Sequence, residues 1–395
     1  MRTQVGIVGA GPAGLMLGQL LHLRGIDSVI VEKRGRDYVI DRVRAGVLEP
    51  GTVDLLTASG VGDRLAVEGL RRGGVHFNFA GARHRIDLVA LAGSPITIYG
   101  QNEVLKDLID ARIATDRPLV FEAEEVRIED LESSTPKLRF QAQAGEPREI
   151  VCDFIAGCDG FHGVCRATIP PGAVTTHERV YPFSWLGILA EATPASEELI
   201  YAYHERGFAL HNQRSPTLIR AHVQCPPDDD LSAWPDERVW SELRTRTATA
   251  SGWRPNEGPI LKKSLAAMRG FVTEPMRYRR LFLAGDSAHI FPPSGAKGLN
   301  MAIADAQVLA DAIAEHYASA SDGALDLYSD TCLRRVWNVQ QFACWMTQML
   351  HRFDPNDEFE HRTRLSELEH LMTCREASTS FARRYLGLSP ISHDE

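Results

Sequence analysis

Nothing in these 395 residues is long and apolar enough to cross a bilayer, which takes about 20 mostly apolar residues. The most apolar early run, Val5 to Leu23, is broken by Gly6, Gly9, Gly11, Gly14, Gly18 and Gln19. That glycine spacing also argues against a secretory leader behind Arg2. Positive charge is not in excess: 43 Lys and Arg stand against 52 Asp and Glu, a net −9. A general nucleic-acid binder needs a basic face, so that class is set aside. An anionic small molecule is not excluded, because a few buried arginines set a local field whatever the total. Cysteine is sparse and without pattern: Cys152, Cys158, Cys165, Cys225, Cys332, Cys344 and Cys374 form no C-x-x-C pair. This removes a redox dithiol and a thiolate zinc knuckle, and it fits small buried hydrophobes in a reducing, cytoplasmic setting. No histidine or cysteine cluster sits at metal-ligand spacing, so no metal is expected.

What is present reads as an α/β chain of two to three interleaved domains. Gln4 to Val8, a glycine turn, an apolar-periodic helix from Pro12 to Leu23 and the run Ser28 to Val31 give strand–turn–helix–strand. Glu149 to Ala156 and Arg280 to Ala284 read as further strands of the same sheet. Leu199 to Tyr203 and Leu218 to Val223 read as part of a separate, mostly antiparallel sheet. The spacing predicts a helix from Gly298 to Ile313 and a largely helical tail from Leu325 to Arg384. The expected units are a Rossmann-like dinucleotide domain (1–75, 95–180 and 266–325), a β-sheet substrate domain (76–94 and 181–265) and a helical C-terminal region (326–395).

Three segments carry chemistry. Gly9-Ala-Gly11-Pro-Ala-Gly14 follows a strand and opens a helix. In G-x-G-x-x-G the first glycine makes the turn, the second admits a pyrophosphate to the backbone, and the third lets helix and strand approach. Glu32, 18 residues after Gly14, stands where an acid bonds an adenosine ribose. An adenine dinucleotide is expected, FAD and NAD being equally consistent with this motif. In the second segment, Gly285-Asp286 at a strand end suits a ribityl chain. It is followed by Pro292-Pro293-Ser294-Gly295-Ala-Lys297-Gly298-Leu299-Asn300, a tight loop into a helix N-terminus that favours negative charge on a reduced flavin. The third is Gly157-Cys-Asp159-Gly160-Phe161-His162-Gly163-Val-Cys-Arg166.

Together these segments resemble the flavoprotein aromatic hydroxylases (group A monooxygenases). The likeness runs over nearly the whole chain, through Arg42-Val-Arg44-Ala-Gly-Val-Leu-Glu49, Glu178-Arg-Val-Tyr-Pro-Phe183 and the contexts of Tyr201, Arg214, Arg220 and Tyr385. The resemblance implies a single-component FAD enzyme reduced by NADPH (NADH being the less expected donor). It would use dioxygen to hydroxylate a 4-substituted benzoate, 4-hydroxybenzoate at its 3-position first. The same chemistry on 4-aminobenzoate or another para-substituted acid is the alternative. A flavin protein that only senses ligand is a further one, against which Tyr201, Arg214, Pro293 and Tyr385 all count.

The resemblance also distributes roles. FAD would be held by Gly9, Gly11, Gly14, Glu32, Arg42, Arg44, Gln101, Asp159, Arg220, Asp286, Leu299 and Asn300. Tyr201 and Tyr385 would pass a proton between phenols, with Pro293 beside the reacting ring. Arg214 would clamp the carboxylate, a task the guanidinium fork suits. Asn212, His222 and Ser294 would complete the substrate pocket. Lys33, Arg34 and Arg36, directly after the ribose acid, suit a 2′-phosphate, although a charge run is ordinarily a solvated face. Arg44, His162, Arg166 and Arg269 match positions serving the same nicotinamide. A homodimer is implied as well.

Four positions depart from the family pattern. Asn212 and His222 replace a serine and a tyrosine at the carboxylate end, and both can still donate there. Ser294 replaces a threonine and keeps the hydroxyl. Arg72 replaces the histidine that ends the proton chain, and a guanidinium releases no proton near neutral pH.

Overall fold

The computed structural model describes residues 1–41, 44, 46–142 and 145–388; the expectation for Arg42 lies outside them. The strand Arg2–Val8 is buried from Val5 onward, as a parallel strand covered on both faces must be. It pairs in parallel with Ser28–Val31 on one side and Pro147–Gly157 on the other, and Leu281–Leu283 continues beyond the latter. The register sets Val8, Val31, Gly157 and Leu283 side by side. The turns that follow these strands therefore emerge together at one sheet edge, the usual ligand side of an open α/β sheet. Three motifs far apart in sequence meet by topology alone. The helices Pro12–Leu23 and Gly298–Ser319 pack on each other over this edge.

A second eight-stranded sheet runs in the order His289–Ile290, Ile260–Glu274, Thr175–Glu191, Leu218–Cys225, Ala209–Gln213, Ile200–Ala202, Gly74–Phe79, Ala82–Asp87. All its pairs are antiparallel except Ile200–Ala202 with Gly74–Phe79. The long strands Thr175–Glu191 and Ile260–Glu274 run unbroken through positions 180/181 and 265/266, so both positions fall within strands of this second sheet. Because side chains alternate with period two, register decides what shares a face. Tyr201 lies opposite Leu210, Leu210 opposite His222, His222 opposite Gly187, and Gly187 opposite Ser264. These five form one row across the sheet. The other face buries Ala209, Ala221, Val223 and Trp240 in a separate core.

The helical tail takes the form Gly323–Leu350, Glu358–Thr373 and Arg375–Tyr385. Their apolar sides close the substrate side of the second sheet, with Phe342, Met346, Phe381 and Tyr385 in one core with Phe77 and Tyr201. Among the described residues no helix is long and apolar enough to cross a membrane.

Candidate functional site

A cavity of about 650 Å³ opens between the two sheets, lined from the dinucleotide side by Gly11, Glu32, Asp159 and Asp286 and from the other by the Tyr201–Ser264 row. The glycines divide their labour as their spacing predicts. Gly9 has φ +105°, and a Cβ there would run into the Cys158 carbonyl; one at Gly14 would strike the carbonyl of Gly9. A Cβ at Gly11 would meet nothing within 4 Å, although Gly11 lines the cavity. The space before the helix Pro12–Leu23 is thus open, and that helix has no side-chain cap. Its first-turn N–H groups are left for an anion. Glu32 is placed rigidly, its two carboxylate oxygens accepting from Ala10 N and Arg34 N at 2.8 Å each. These features fit a dinucleotide pyrophosphate and ribose.

Asp159 accepts from Cys165 N at 2.9 Å through one oxygen, while its other oxygen is buried without a partner. Burial raises its pKa. Asp286 is the exposed residue of the otherwise buried turn Gly285–Ser287, which is pinned by Gly285 N donating to Asp305 Oδ2 at 3.0 Å. Gln101 stands at the start of the helix Gln101–Ala114 and faces the cavity. So do Leu299 and Gly298, whose helix N-terminus is uncapped by any side chain.

Asn300 differs from expectation. Its carboxamide is spent inside the protein, accepting from Glu49 N and donating to the carbonyls of Val47 and Ala296, all at 3.0 Å. What this position offers a ligand is a free first-turn N–H, not a side chain.

At the substrate end the buried cations gather. Arg214 donates through Nη2 to Asn102 Oδ1 at 2.7 Å, while its Nη1 is buried without a partner. Cβ atoms at Gly46 or Gly100 would collide with this guanidinium, so those glycines make its berth. Burial, aided by Arg214 and Arg44, lowers the Arg220 pKa to about 10. Positive charge is thus crowded here, and an anionic ligand relieves it. Arg220 Nη1 donates to the Arg44 carbonyl at 3.0 Å, and its Nε lies 3.4 Å from His222 Nε2. The second contact assigns the lone pair to Nε2 and the proton to Nδ1, which is buried and unpartnered. Burial keeps His222 neutral, its pKa well below the ordinary value. Asn212 likewise holds its Oδ1 buried without a partner. Orphaned buried polar atoms are rare; Arg214 Nη1 and His222 Nδ1 are donors that a carboxylate satisfies, whereas Asn212 Oδ1 is an acceptor and needs a donor instead.

Tyr201 and Tyr385 meet hydroxyl to hydroxyl at 2.7 Å. Burial raises both pKa values far above neutrality. Tyr201 faces the cavity, and Tyr385 stands behind it at the end of its helix. Lys297 fixes that end, donating to the carbonyls of Arg384 and Tyr385 at 2.7 and 2.9 Å and pairing with Glu49 at 2.6 Å. Pro293 and Ser294 form part of the cavity wall through the short turn Pro293–Gly295. Arg72 is a strut: it donates to Gln213 Oε1 at 2.6 Å and to the Glu197 and Arg71 carbonyls at 2.7 and 2.9 Å.

Of the residues expected to meet a nicotinamide, Lys33, Arg34, Arg44, His162 and Arg269 line the cavity. Two of the expected cations, Arg166 and Arg36, are not among the residues that line it. Arg166 donates to the carbonyls of Ser287 and Phe161 at 2.7 and 2.6 Å, its guanidinium lying between the rings of Phe161 and Phe271. It braces the turn Gly285–Ser287. Arg36 reaches away to Asp110 at 3.0 Å on the surface. Sequence reasoning missed Asn102, Trp185, Leu210 and Ser264. Asn102 adjoins Gln101, but its task is visible only once Arg214 is placed.

A family model described as an FAD binding domain matches residues 2–343. This chain belongs to that FAD-binding family. The flavoprotein is 47% identical, over 98% of its own length and 96% of the relative's, to a protein of Acinetobacter baylyi named p-hydroxybenzoate hydroxylase. Among solved structures it resembles p-nitrophenol 4-monooxygenase from Pseudomonas putida, with a TM-score of 0.82, 18% identity and coverage of 99% and 100% of the two chains. It also resembles an anhydrotetracycline hydroxylase from Streptomyces rimosus, with a TM-score of 0.78, 22% identity and coverage of 99% and 77%. These two likenesses establish the flavoprotein's fold.

Proposed function

We propose that this chain is a single-component FAD-dependent aromatic monooxygenase that converts 4-hydroxybenzoate to 3,4-dihydroxybenzoate. The observation that carries the substrate is that Tyr201, bonded hydroxyl to hydroxyl with Tyr385, lines the same cavity as Gly46, against which the buried, unpartnered Nη1 of Arg214 is set. The hydroxyl pair and the guanidinium each match one pole of a para-hydroxy acid. The 47% identity to the Acinetobacter baylyi protein supports the same substrate.

FAD, when bound, supplies hydride acceptance and the activation of dioxygen. Gly11, Glu32, Asp159, Asp286 and the uncapped N-termini at Pro12 and Gly298 would hold it, and Arg220 would favour the reduced, anionic ring. Arg214 anchors the substrate carboxylate, with the Nδ1–H of His222 and the amide of Asn212 as further donors. The substrate hydroxyl donates to Tyr201, and Tyr201 donates to Tyr385. Since burial keeps both tyrosines from ionising on their own, they pass the proton along and do not store it. Removing that proton makes the ring carbon beside the phenolate electron-rich. The apolar walls and helical cover exclude water from the transfer. With Arg72 locked as a strut, the proton leaves Tyr385 through water or another group.

NADPH is the hydride donor in this reading, through Lys33 and Arg34 beside the ribose acid. Neutralising both should raise the NADPH KM by roughly tenfold or more, since hydrogen bonds to charged groups contribute about 1.5–3 kcal/mol each. The NADH KM should hardly change, and steady-state kinetics with both donors checks it. Equal effects would make the pair a solvated face. The homodimer implied by the resemblance is part of the same reading. The function itself is tested by identifying the product formed from 4-hydroxybenzoate by the FAD-loaded protein with NADPH; formation of 3,4-dihydroxybenzoate supports it, and NADPH oxidation without that product contradicts it.

A further inference from the structure

A helix end leaves carbonyls that no helical N–H reaches. At the end of Gly323–Leu350, the Thr347 carbonyl lies 2.8 Å from His351 Nδ1. On the other side of the same imidazole, Trp185 Nε1 lies 2.7 Å from Nε2. An indole N–H only donates, so His351 Nε2 holds the lone pair and Nδ1 the proton given to Thr347. Both nitrogens are matched and the tautomer is fixed. The ring is fully buried and stacks on Phe183 at 4.6 Å and 8°.

The residue held in this way is a cavity wall. Trp185 lines the site, its ring 4.9 Å from that of His222. Thr347 also serves the cavity. Its hydroxyl donates to the Ala343 carbonyl at 2.7 Å, so its single hydrogen is used. Ser294 Oγ, 2.9 Å from Thr347 Oγ1, must therefore be the donor. Ser294 then presents only lone pairs to the cavity it lines.

We infer that His351 is a positioning residue for the aromatic acid: with Thr347 it fixes the cavity walls formed by Trp185 and Ser294, and so the placement of the ring between Arg214 and Tyr201. The inference rests on the function proposed above. A side chain needed only for bulk here would do as well without nitrogen. What imidazole adds is an acceptor for the indole and a donor for the helix end. His351 is not a proton carrier, because burial lowers its pKa to about 3 and it stays neutral wherever the enzyme works.

The test uses the FAD-loaded full chain with His351→Leu, His351→Gln and Trp185→Phe. Leucine removes both bonds, glutamine keeps a donor and an acceptor, and phenylalanine removes the indole N–H from the other side. The dissociation constant of 4-hydroxybenzoate is read from flavin absorbance without nicotinamide, and product per NADPH oxidised is read separately. For His351→Leu the dissociation constant should rise roughly tenfold, the effect of one buried donor left unsatisfied, and product per NADPH should fall, with FAD affinity unchanged. Glutamine should restore most of both, and Trp185→Phe should reproduce the loss. The double variant should be no worse than the worse single, as for partners in one interaction. Unchanged binding and coupling in His351→Leu would overturn the inference, as would equal losses with leucine and glutamine. If the leucine variant does not fold, unchanged binding and coupling in Trp185→Phe would overturn it instead. Failure of the wild type to make dihydroxybenzoate tells against the function alone, because the binding constants need no turnover.

Discussion

Replacing Arg214 with alanine should weaken 4-hydroxybenzoate binding by about two orders of magnitude, while FAD stays bound. The guanidinium is buried, its Nη2 is held by Asn102, and its Nη1 has no partner within the protein. Truncating one member of a buried, hydrogen-bonded charge pair costs about 2–5 kcal/mol, or roughly 30- to 5,000-fold in affinity. The side chain touches none of the dinucleotide-side groups described above, so the flavin spectrum should persist. Lysine should rescue little, because a point charge does not reproduce the fork that meets both carboxylate oxygens. Titration of the flavin absorbance with the acid measures the effect. An unchanged dissociation constant would show that the carboxylate lies elsewhere.

Tyr201→Phe should bind the acid nearly as well as the wild type and hydroxylate it far more slowly. The variant keeps the ring that stacks on Phe77 at 5.5 Å and loses only the hydroxyl facing Tyr385 at 2.7 Å. Positioned proton transfer contributes about 10²- to 10⁴-fold, and a loss in that range is expected in a single-turnover rate. Tyr385→Phe should lose turnover too, since it cuts the same chain one link later. Two phenylalanine variants that both kept their rate would mean that the substrate proton leaves by another route. Arg72 bears on that route: a guanidinium carries no acceptor lone pair, and its N–H groups already donate to Gln213, Glu197 and Arg71.

Local chemistry was legible in the sequence, and distant pairing was not. Gly9, Gly11, Gly14 and Glu32 declare their roles because a tight turn and a helix start are short-range events. The helix Pro12–Leu23 begins and ends where its pattern says. Charge was legible without its partner. Arg36 and Arg166 read as cations for a nicotinamide cofactor and Arg72 as the replacement of a histidine, and the partners to which each is tied elsewhere in the fold were not legible. Asn300 likewise read as a ligand contact, yet its side chain holds the segment at Val47 and Glu49. The row from Tyr201 to Ser264 depends on strand register, which no short window of sequence specifies. His351 and Trp185, 166 residues apart, belong to a helix end and a strand that meet only in the folded chain.

The most direct test of the account is product formation from 4-hydroxybenzoate and from 4-aminobenzoate by the FAD-loaded protein with NADPH, expressed as a ratio of kcat/KM values. The two acids share the carboxylate that Arg214 would hold and differ at the pole that meets Tyr201. The phenol needs the Tyr201–Tyr385 chain to take its proton; the amine activates the ring through its lone pair and needs none. The account predicts 3,4-dihydroxybenzoate from the phenol, close to one molecule per NADPH oxidised, and a clear preference for the phenol. A preference for the amine, or NADPH oxidation without hydroxylated product from 4-hydroxybenzoate, would contradict it.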